Sequence, residues 1–180
     1  LNRTKPTLKG MLEAYYHCAW DGQGLRPSGY DVIAQTLYGC VYINQQKKQI
    51  QTYSWPFDNL SFLLVHTGSK LATHHHLQKA VLPDQIEQLS ALVETAKQAF
   101  EHRASDLLIE CINAYHDELA KLQLVAAHSL ELINVLRNCP EVLAIKGCGA
   151  LGADILLIIT TANQRSSLKN KLLSQNKKLL

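Results

Sequence analysis

The first third of the chain changes from a helical to an alternating pattern of apolar side chains. Apolar residues recur at helical spacing over residues 8–20, which predicts a helix there. A glycine- and proline-rich loop follows, and a short helix is then predicted over 30–38, ended by the next glycine. Side chains alternate over 41–43 and 50–53 around a polar turn, which predicts a β-hairpin. The Trp55-Pro56 pair marks the predicted boundary between two lobes.

The remaining two thirds predict strands and helices in alternation. The predicted strands are 60–67, 142–145 and 155–161. The predicted helices are 74–80, 83–102, 105–122, 124–137 and a basic stretch from Asn163 onward. Pro83 suits the first turn of its helix, and Ser105 is expected to cap the next one. This order favours an α+β fold in which helices cover one face of a mainly antiparallel sheet.

Composition narrows the class of protein. The chain is 47% hydrophobic and 18% charged, which is ordinary for a globular domain. Its apolar runs are much shorter than the ~20 residues of a membrane span, and no secretory leader is recognisable. The net charge of +3 is too small to indicate a nucleic-acid partner. We therefore expect a cytoplasmic protein that binds neither membrane nor nucleic acid, with the basic tail docked as a helix.

The cysteines and histidines do not form a recognisable metal site. The five cysteines, which lack C-x-x-C spacing, are Cys18, Cys40, Cys111, Cys139 and Cys148. An odd number without such spacing predicts reduced thiols, not disulfides or a zinc site. Consecutive histidines at 74–76 point in different directions at a helix start, which argues against a metal. The other histidines considered, His66, His116 and His128, are interpreted as surface or core residues.

One candidate for chemistry is the segment Pro27-Ser28-Gly29-Tyr30-Asp31 at the start of the short helix. The first N–H groups of a helix are anion donors, and an aspartate in the first turn is favoured in its ionised form. Such a carboxylate is a weak base, which is sufficient for phosphoryl transfer through a loose transition state. Acidic first-turn residues are also common as simple helix starts, so spacing alone favours that reading of Asp31.

The other candidate is the segment 146–154, whose glycines spell G-x-G-x-x-G. That fingerprint binds a dinucleotide only between a strand and a helix, with an acidic residue ~20 positions later. Here a β-branched strand follows and no acidic residue occurs after Asp154, so NAD binding is rejected. The Walker sequence is also absent. The segment is then either a small-residue loop that approaches another backbone or a phosphate, or a tight connection without a ligand.

Together these segments resemble the GHMP kinase superfamily, and most closely its mevalonate and phosphomevalonate kinases. Residues 27–39 read P-S-G-Y-D-V-I-A-Q-T-L-Y-G, similar to the family's P-S-G-x-D segment and the apolar helix after it. Residues 146–154 read K-G-C-G-A-L-G-A-D, similar to its K-x-[ST]-G-A-G-G-G-[GD] motif. Residues 63–73 are similar to its strand and TG-x-K-x-S-T turn. The three segments occur in the family's order and span nearly the whole chain.

The resemblance implies an ATP- and Mg²⁺-dependent kinase of mevalonate or phosphomevalonate. It implies that residues 1–56 are an incomplete ribosomal S5-like domain and that 57–180 are a ferredoxin-like domain. Asp31 would orient or deprotonate the substrate hydroxyl, with Ser28 and Gly29 holding the helix start. The glycine loop behind the phosphates would comprise Gly147, Cys148, Gly149 and Gly152. The remaining substrate candidates are Thr67, Lys70 and Thr73, although Lys70 also fits a solvated loop lysine.

Departures from the family pattern leave alternatives open. Cys148, Leu151 and Ala153 replace small or hydroxylated residues of the glycine motif, and the family's G-L-x-S-S-A phosphate loop is not in these residues. The chain opens with Leu1 and has a single methionine, so we expect a fragment that does not turn over ATP alone. The alternatives are the mevalonate diphosphate decarboxylase branch and a non-catalytic metabolite-binding protein of the same fold. Homodimerisation stays open.

Overall fold

The computed structural model describes residues 7–23, 26–68, 86–149 and 152–180. The chain divides into two compact units, Leu1–Pro56 and Phe57–Leu180, and each unit is described by itself. The predictions that lie outside the described residues are the helix at 74–80, the helix start at Pro83, the histidines at 74–76, and the proposed roles of Lys70, Thr73 and Leu151. The assignment of the units to S5-like and ferredoxin-like domains stays a prediction.

The first unit begins with the two predicted helices. Helix α1 is Leu8–Ala19, and the Thr7 side chain caps it by accepting a hydrogen bond from the Gly10 amide at 3.1 Å. Helix α2 is Tyr30–Thr36. It ends earlier than the predicted residue 38, because Leu37 already adopts an extended backbone that leads into the next strand.

A β-hairpin completes the first unit, as predicted. Strand β1, Cys40–Asn44, pairs antiparallel with β2, Gln49–Tyr53. Gly39 precedes β1 with φ +90°, and a Cβ at this position would lie 2.5 Å from the Tyr53 carbonyl oxygen. Only glycine therefore fits where the chain enters the hairpin.

The second unit contains a four-stranded antiparallel sheet in the order β4-β5-β3-β6. The strands are β3 Leu60–His66, β4 Ala144–Cys148, β5 Ile155–Thr161 and β6 Lys178–Leu179. The prediction for β5 is confirmed at both ends, while β4 is displaced toward the glycines. Strand β6 was not predicted, because two residues are too few to show alternation.

The described part of the second unit also contains four helices. They are α3 Ile86–His102, α4 Ser105–Lys121, α5 Ala127–Leu136 and α6 Arg165–Ser174. The prediction that Ser105 caps α4 was wrong. Ala104 occupies the capping position, and the Ser105 hydroxyl instead donates to Asn59 Oδ1 at 2.7 Å. Within the described ranges, none of the helices has the length and apolar content needed to cross a bilayer.

The core lies between the sheet and helices α5 and α6. Its buried side chains come from β3, β4, β5 and the two helices: Leu63, Val65, Ile133, Leu136, Ile145, Leu156, Ile158, Leu168 and Leu172. Burying such aliphatic side chains is the main favourable term in folding. The predicted α+β class with a mainly antiparallel sheet is confirmed.

Helix α4 runs along β4 and contacts it through a side-chain amide. The Asn113 amide donates to the Leu143 carbonyl at 2.9 Å, and its carbonyl oxygen accepts from the Ile145 amide at 3.4 Å. Strand β4 is an end strand of the four-stranded sheet. Asn113 therefore satisfies backbone groups of an end strand that would otherwise need another partner.

A second α4 side chain, His116, is only 1% exposed. Burial is the largest cause that lowers the pKa of its ring, and the Arg137 cation lowers this pKa further. Asp117 opposes this shift in part, and Lys146 adds the smallest lowering effect. Arg137 is itself ion-paired to Asp117, with Nη1 and Oδ1 2.7 Å apart. The imidazole is therefore neutral near neutral pH, and its Nδ1 has no hydrogen-bond partner within the described part of the chain.

Candidate functional site

The start of α2 strongly favours glycine at residue 29. Gly29 precedes the helix in a left-handed conformation, with φ +70°. A Cβ there would lie 2.7 Å from Leu12 Cδ2 and 2.9 Å from the Tyr16 hydroxyl oxygen, both on α1. The Tyr16 hydroxyl also donates to the Ser28 carbonyl at 3.2 Å. Helix α1 therefore fixes the point at which the chain turns into α2.

Ser28 and Asp31 lie on either side of this turn, and both side chains are exposed. Ser28 Oγ accepts a long hydrogen bond, 3.4 Å, from the Tyr30 amide. Asp31 lies in the first turn of α2, where the helix dipole favours a negative charge. The serine thus satisfies the backbone at the helix start, while the carboxylate remains accessible from solvent.

Tyr15 of α1 is a neighbour of Asp31 that sequence reasoning missed. Burial raises the pKa of Tyr15, and the charges of Asp31 and Tyr16 raise it further. The phenol is therefore protonated near neutral pH. In the sequence, Tyr15 shows only helical spacing, which predicts a place in α1 and does not reveal where Tyr15 lies relative to Asp31.

In the second unit, the glycine segment begins inside a strand. Gly147 and Cys148 belong to β4, where they pair with Leu156 and Ile155 of β5. The prediction that β4 ends at residue 145 and that these residues lie in a loop was therefore wrong. Pairing with the strongly apolar β5 extends β4 beyond the last residue with an alternating pattern.

Beyond β4 the chain makes a tight bend in which two glycine backbones touch. A Cβ on Gly147 would lie 2.4 Å from Gly152 Cα, and one on Gly152 would lie 2.8 Å from Gly147 Cα. Gly149 and Gly152 both have positive φ, +84° and +63°, and the Gly152 amide donates to the Gly149 carbonyl at 3.2 Å. This contact lies within the bend itself and fits both readings of the segment, so the choice between them stays a prediction.

Thr67, predicted as a substrate residue, lies against the far side of this bend. Its amide donates to the Asp154 carbonyl at 3.0 Å, and its hydroxyl donates to the carbonyls of Ala153 and, at 3.2 Å, Asp154. The antiparallel register of β3 and β5 explains the contact, since His66 and Ile155 are partners at the adjacent position. The structure thus brings together two of the predicted segments.

The three histidines that were interpreted as surface or core residues lie in different environments. His66 Nδ1 accepts a hydrogen bond from the Gly68 amide at 2.9 Å, and His116 is buried on α4. His128 Nε2 lies 3.0 Å from the Ala153 carbonyl oxygen, so this side chain contacts the bend. No sequence signal indicated this contact, because the two residues are 25 positions apart and share no motif.

Lys146 places a positive charge beside the strand end that leads into the bend. Its ammonium lies 3.7 Å from Cys148 Sγ and 5.5 Å from the centre of the Tyr115 ring. The ring distance is within the range of a cation–π contact. Among the described residues, no group of three or more histidine, cysteine or acidic side chains could hold a metal ion.

The predicted site residues therefore fall into two groups. Ser28, Gly29 and Asp31 form the helix start in the first unit. Thr67 joins the bend residues of the second unit, which are Gly147, Cys148, Gly149 and Gly152.

Comparison with solved structures finds similar folds in mevalonate kinases and in one further protein. The mevalonate kinase of L. major in complex with R-mevalonate matches 94% of this chain, with a TM-score of 0.70 and 20% identity. The mevalonate kinase of Methanococcus jannaschii matches 74% of it, with a TM-score of 0.58 and 13% identity. The Lin0012 protein of Listeria innocua matches 73%, with a TM-score of 0.59 and 21% identity.

These likenesses concern the fold alone, because the sequence identities are low. The matched regions are 55% of the L. major protein, 43% of the M. jannaschii protein and 41% of the L. innocua protein. The chain thus spans about half the length of the solved proteins it matches. Neither a protein-family model nor a curated protein sequence matches it.

Proposed function

We propose that this chain supplies the catalytic aspartate and the glycine bend of an ATP-dependent small-molecule kinase of the GHMP type. The proposed substrate is mevalonate or phosphomevalonate. One observation carries the proposal: in a chain with the mevalonate kinase fold, an exposed Asp31 follows a left-handed glycine turn that packs against α1. This is the position at which the P-S-G-x-D resemblance puts the catalytic carboxylate.

With mevalonate as the substrate, Asp31 is proposed to orient the hydroxyl and to accept its proton as the phosphoryl group transfers. With phosphomevalonate the acceptor is a phosphate oxygen, and Asp31 would contribute through positioning alone. The loose transition state of phosphoryl transfer depends on positioning and charge neutralisation, so a weak base is adequate. Positioning depends in turn on a rigid helix start. Gly29 packs against Leu12 and Tyr16, and Ser28 is held through its carbonyl, so the first turn of α2 is anchored to α1.

The glycine bend is proposed to brace the polypeptide that wraps the ATP phosphates. Its geometry fits such a role, because the contact between Gly147 and Gly152 leaves no room for side chains there. Lys146 adds positive charge where the bend begins. ATP would supply the phosphoryl group and Mg²⁺ would neutralise its charge. The described residues offer no ligand cluster for the ion, so we assign no Mg²⁺ ligand among them.

The family's G-L-x-S-S-A loop, which is absent from these 180 residues, is proposed to come from a further segment of the natural protein. For this reason the test uses two samples, the protein at its natural full length and the 180-residue chain alone. Each is incubated with ATP, Mg²⁺ and one of three substrates: mevalonate, phosphomevalonate or mevalonate diphosphate, the last of which is the substrate of the decarboxylase alternative. Phosphorus NMR follows the products, and released carbon dioxide is measured in parallel.

The expected result is ADP with a newly phosphorylated acid from the full-length protein, no carbon dioxide, and no turnover by the 180-residue chain. Carbon dioxide with ADP would instead establish the decarboxylase alternative. Binding of ATP and mevalonate without any product would establish the non-catalytic alternative. Phosphorylation by the 180-residue chain alone would overturn the proposal that a further segment is required.

A further inference from the structure

The Ala153 carbonyl is a point where three separate segments of the second unit meet. It belongs to the chain that leaves the glycine bend, and it accepts the hydroxyl of Thr67, which follows β3. His128 Nε2 from the first turn of α5 lies 3.0 Å from the same oxygen. Ala153 itself is fully buried.

The direction of the histidine bond follows from its partner. A carbonyl oxygen can only accept, so His128 must donate and its ring must carry a proton on Nε2. A buried carbonyl has two lone pairs, and here one is used by Thr67 and the other by His128. The histidine therefore completes the hydrogen bonding of a backbone group that water does not reach.

The position of Ala153 determines the geometry of the bend. Ala153 directly follows Gly152, whose backbone touches Gly147. Because Ala153 is bonded to Gly152, a fixed Ala153 carbonyl limits how far Gly152 can move away from Gly147. Thr67 fixes the carbonyl from the strand side, and His128 fixes it from the helix side, so the bend is held between the sheet and α5.

We propose that His128 is a positioning residue for nucleotide binding, which acts by holding the glycine bend through the Ala153 carbonyl. The effect on the bend stands on the contacts alone. The effect on nucleotide binding rests on the proposed function, in which the bend braces the segment around the ATP phosphates.

The test compares three variants of the full-length protein. His128→Leu removes the donor, whereas His128→Gln offers an amide N–H at a similar distance from the backbone. His102→Leu is the matched control, because the His102 ring lies 2.9 Å from the Gln98 carbonyl of its own helix, remote in sequence from the bend. Hydrogen exchange of the Gly152 amide reports on the bend, and the dissociation constant of ATP reports on nucleotide binding.

Loss of one hydrogen bond of ordinary strength predicts exchange about fivefold faster and ATP binding about fivefold weaker in His128→Leu. His128→Gln should restore both to within about twofold of the original protein, and His102→Leu should change neither. In the original protein, long-range proton–nitrogen NMR spectra should show the His128 proton on Nε2. This readout needs no variant and therefore holds even if His128→Leu fails to fold.

The outcomes distinguish the effect of His128 on the bend from its effect on nucleotide binding. A neutral His128 ring protonated on Nδ1, or unchanged Gly152 exchange in His128→Leu, would overturn the positioning role. Faster exchange with unchanged ATP affinity would show that the bend is held by His128 but does not serve nucleotide binding, which also overturns the proposal. Faster exchange in a protein of which no variant binds ATP would refute the kinase function while leaving the contact between His128 and the bend established.

Discussion

Replacing Gly147 by alanine tests the closest backbone contact in the second unit. The added Cβ would lie 2.4 Å from Gly152 Cα, 2.8 Å from its carbonyl oxygen and 3.1 Å from its carbonyl carbon. All three atoms are backbone, so no side-chain rotation can relieve the contact. Gly147 is not among the glycines with positive φ, and the substitution therefore adds contact without backbone strain.

The expected cost follows from these distances. Carbon atoms in van der Waals contact are roughly 3.5–4.0 Å apart, so the bend must open by about 1 Å or more. Overpacking of this kind costs about 1–3 kcal/mol. The pairing of Gly147 with Leu156 resists the movement, since opening the bend from this side would disturb the ladder between β4 and β5. We expect a loss of about 2 kcal/mol in the free energy of unfolding of the second unit.

Urea denaturation measures this loss if the probe reports on the correct unit. Both tryptophans, Trp20 and Trp55, lie in the first unit, so tryptophan fluorescence does not serve. Hydrogen exchange of β5 amides during the titration reports on the second unit directly. Gly68→Ala is the control: its φ is +89° and nothing lies within 4 Å of the new Cβ, so only the left-handed backbone costs energy, about 1–2 kcal/mol.

A Gly147→Ala protein that loses less than about 0.5 kcal/mol, in an assay that detects the Gly68→Ala effect, would refute the reasoning. The two glycine backbones would then not be in contact in solution. The bend would have another shape, and its proposed bracing role would lose its geometric basis.

Two further predictions concern α4. The lowered pKa of His116 means that, below about pH 6.5, the unfolded chain binds a proton that the folded chain does not. The free energy of unfolding should therefore fall on acidification by up to ~1.4 kcal/mol per pH unit. Urea titrations should show a smaller slope in His116→Gln, and an equal slope would contradict the prediction. Asn113→Ala should cost about 1–3 kcal/mol and speed exchange of the Ile145 amide, whereas Asn134→Ala, at an exposed position of α5, should change neither.

Local patterns predicted much of the fold. Helix α1 and strand β5 were predicted to within a residue, because each shows its periodicity over its whole length. The glycine at the start of the hairpin was also visible, although it was interpreted as the end of α2. Its role depends on the distant Tyr53 carbonyl, which periodicity does not reveal.

The errors arose where pairing or capping depends on residues far along the chain. Strand β4 extends through Gly147 and Cys148 because β5 pairs with them, although glycine and cysteine carry no strand pattern of their own. Ser105 had the residue type of a cap, but its hydroxyl bonds Asn59 instead. In both cases a partner remote in sequence decided the local structure.

The same distinction applies to the candidate site. Gly29 was recognised from its motif, and the structure supplies the reason, which is contact with α1. Thr67 was also recognised from its motif, but its position against the bend depends on residues 86 and 87 positions away. His128 had no motif and could be found only from the coordinates. Motifs selected the candidate residues, whereas the contacts that position them required the fold.

The most direct test of the kinase proposal is the turnover of Asp31→Asn in the full-length protein with ATP, Mg²⁺ and mevalonate or phosphomevalonate. Asp21→Asn is the matched control, since Asp21 is also exposed and its Oδ1 accepts a bond from the Gln23 amide that asparagine can keep. We predict that Asp31→Asn lowers kcat by about 10²–10⁴-fold with little change in KM, while Asp21→Asn remains active. A kcat for Asp31→Asn within about threefold of the original value would contradict the assignment of Asp31 as the catalytic carboxylate.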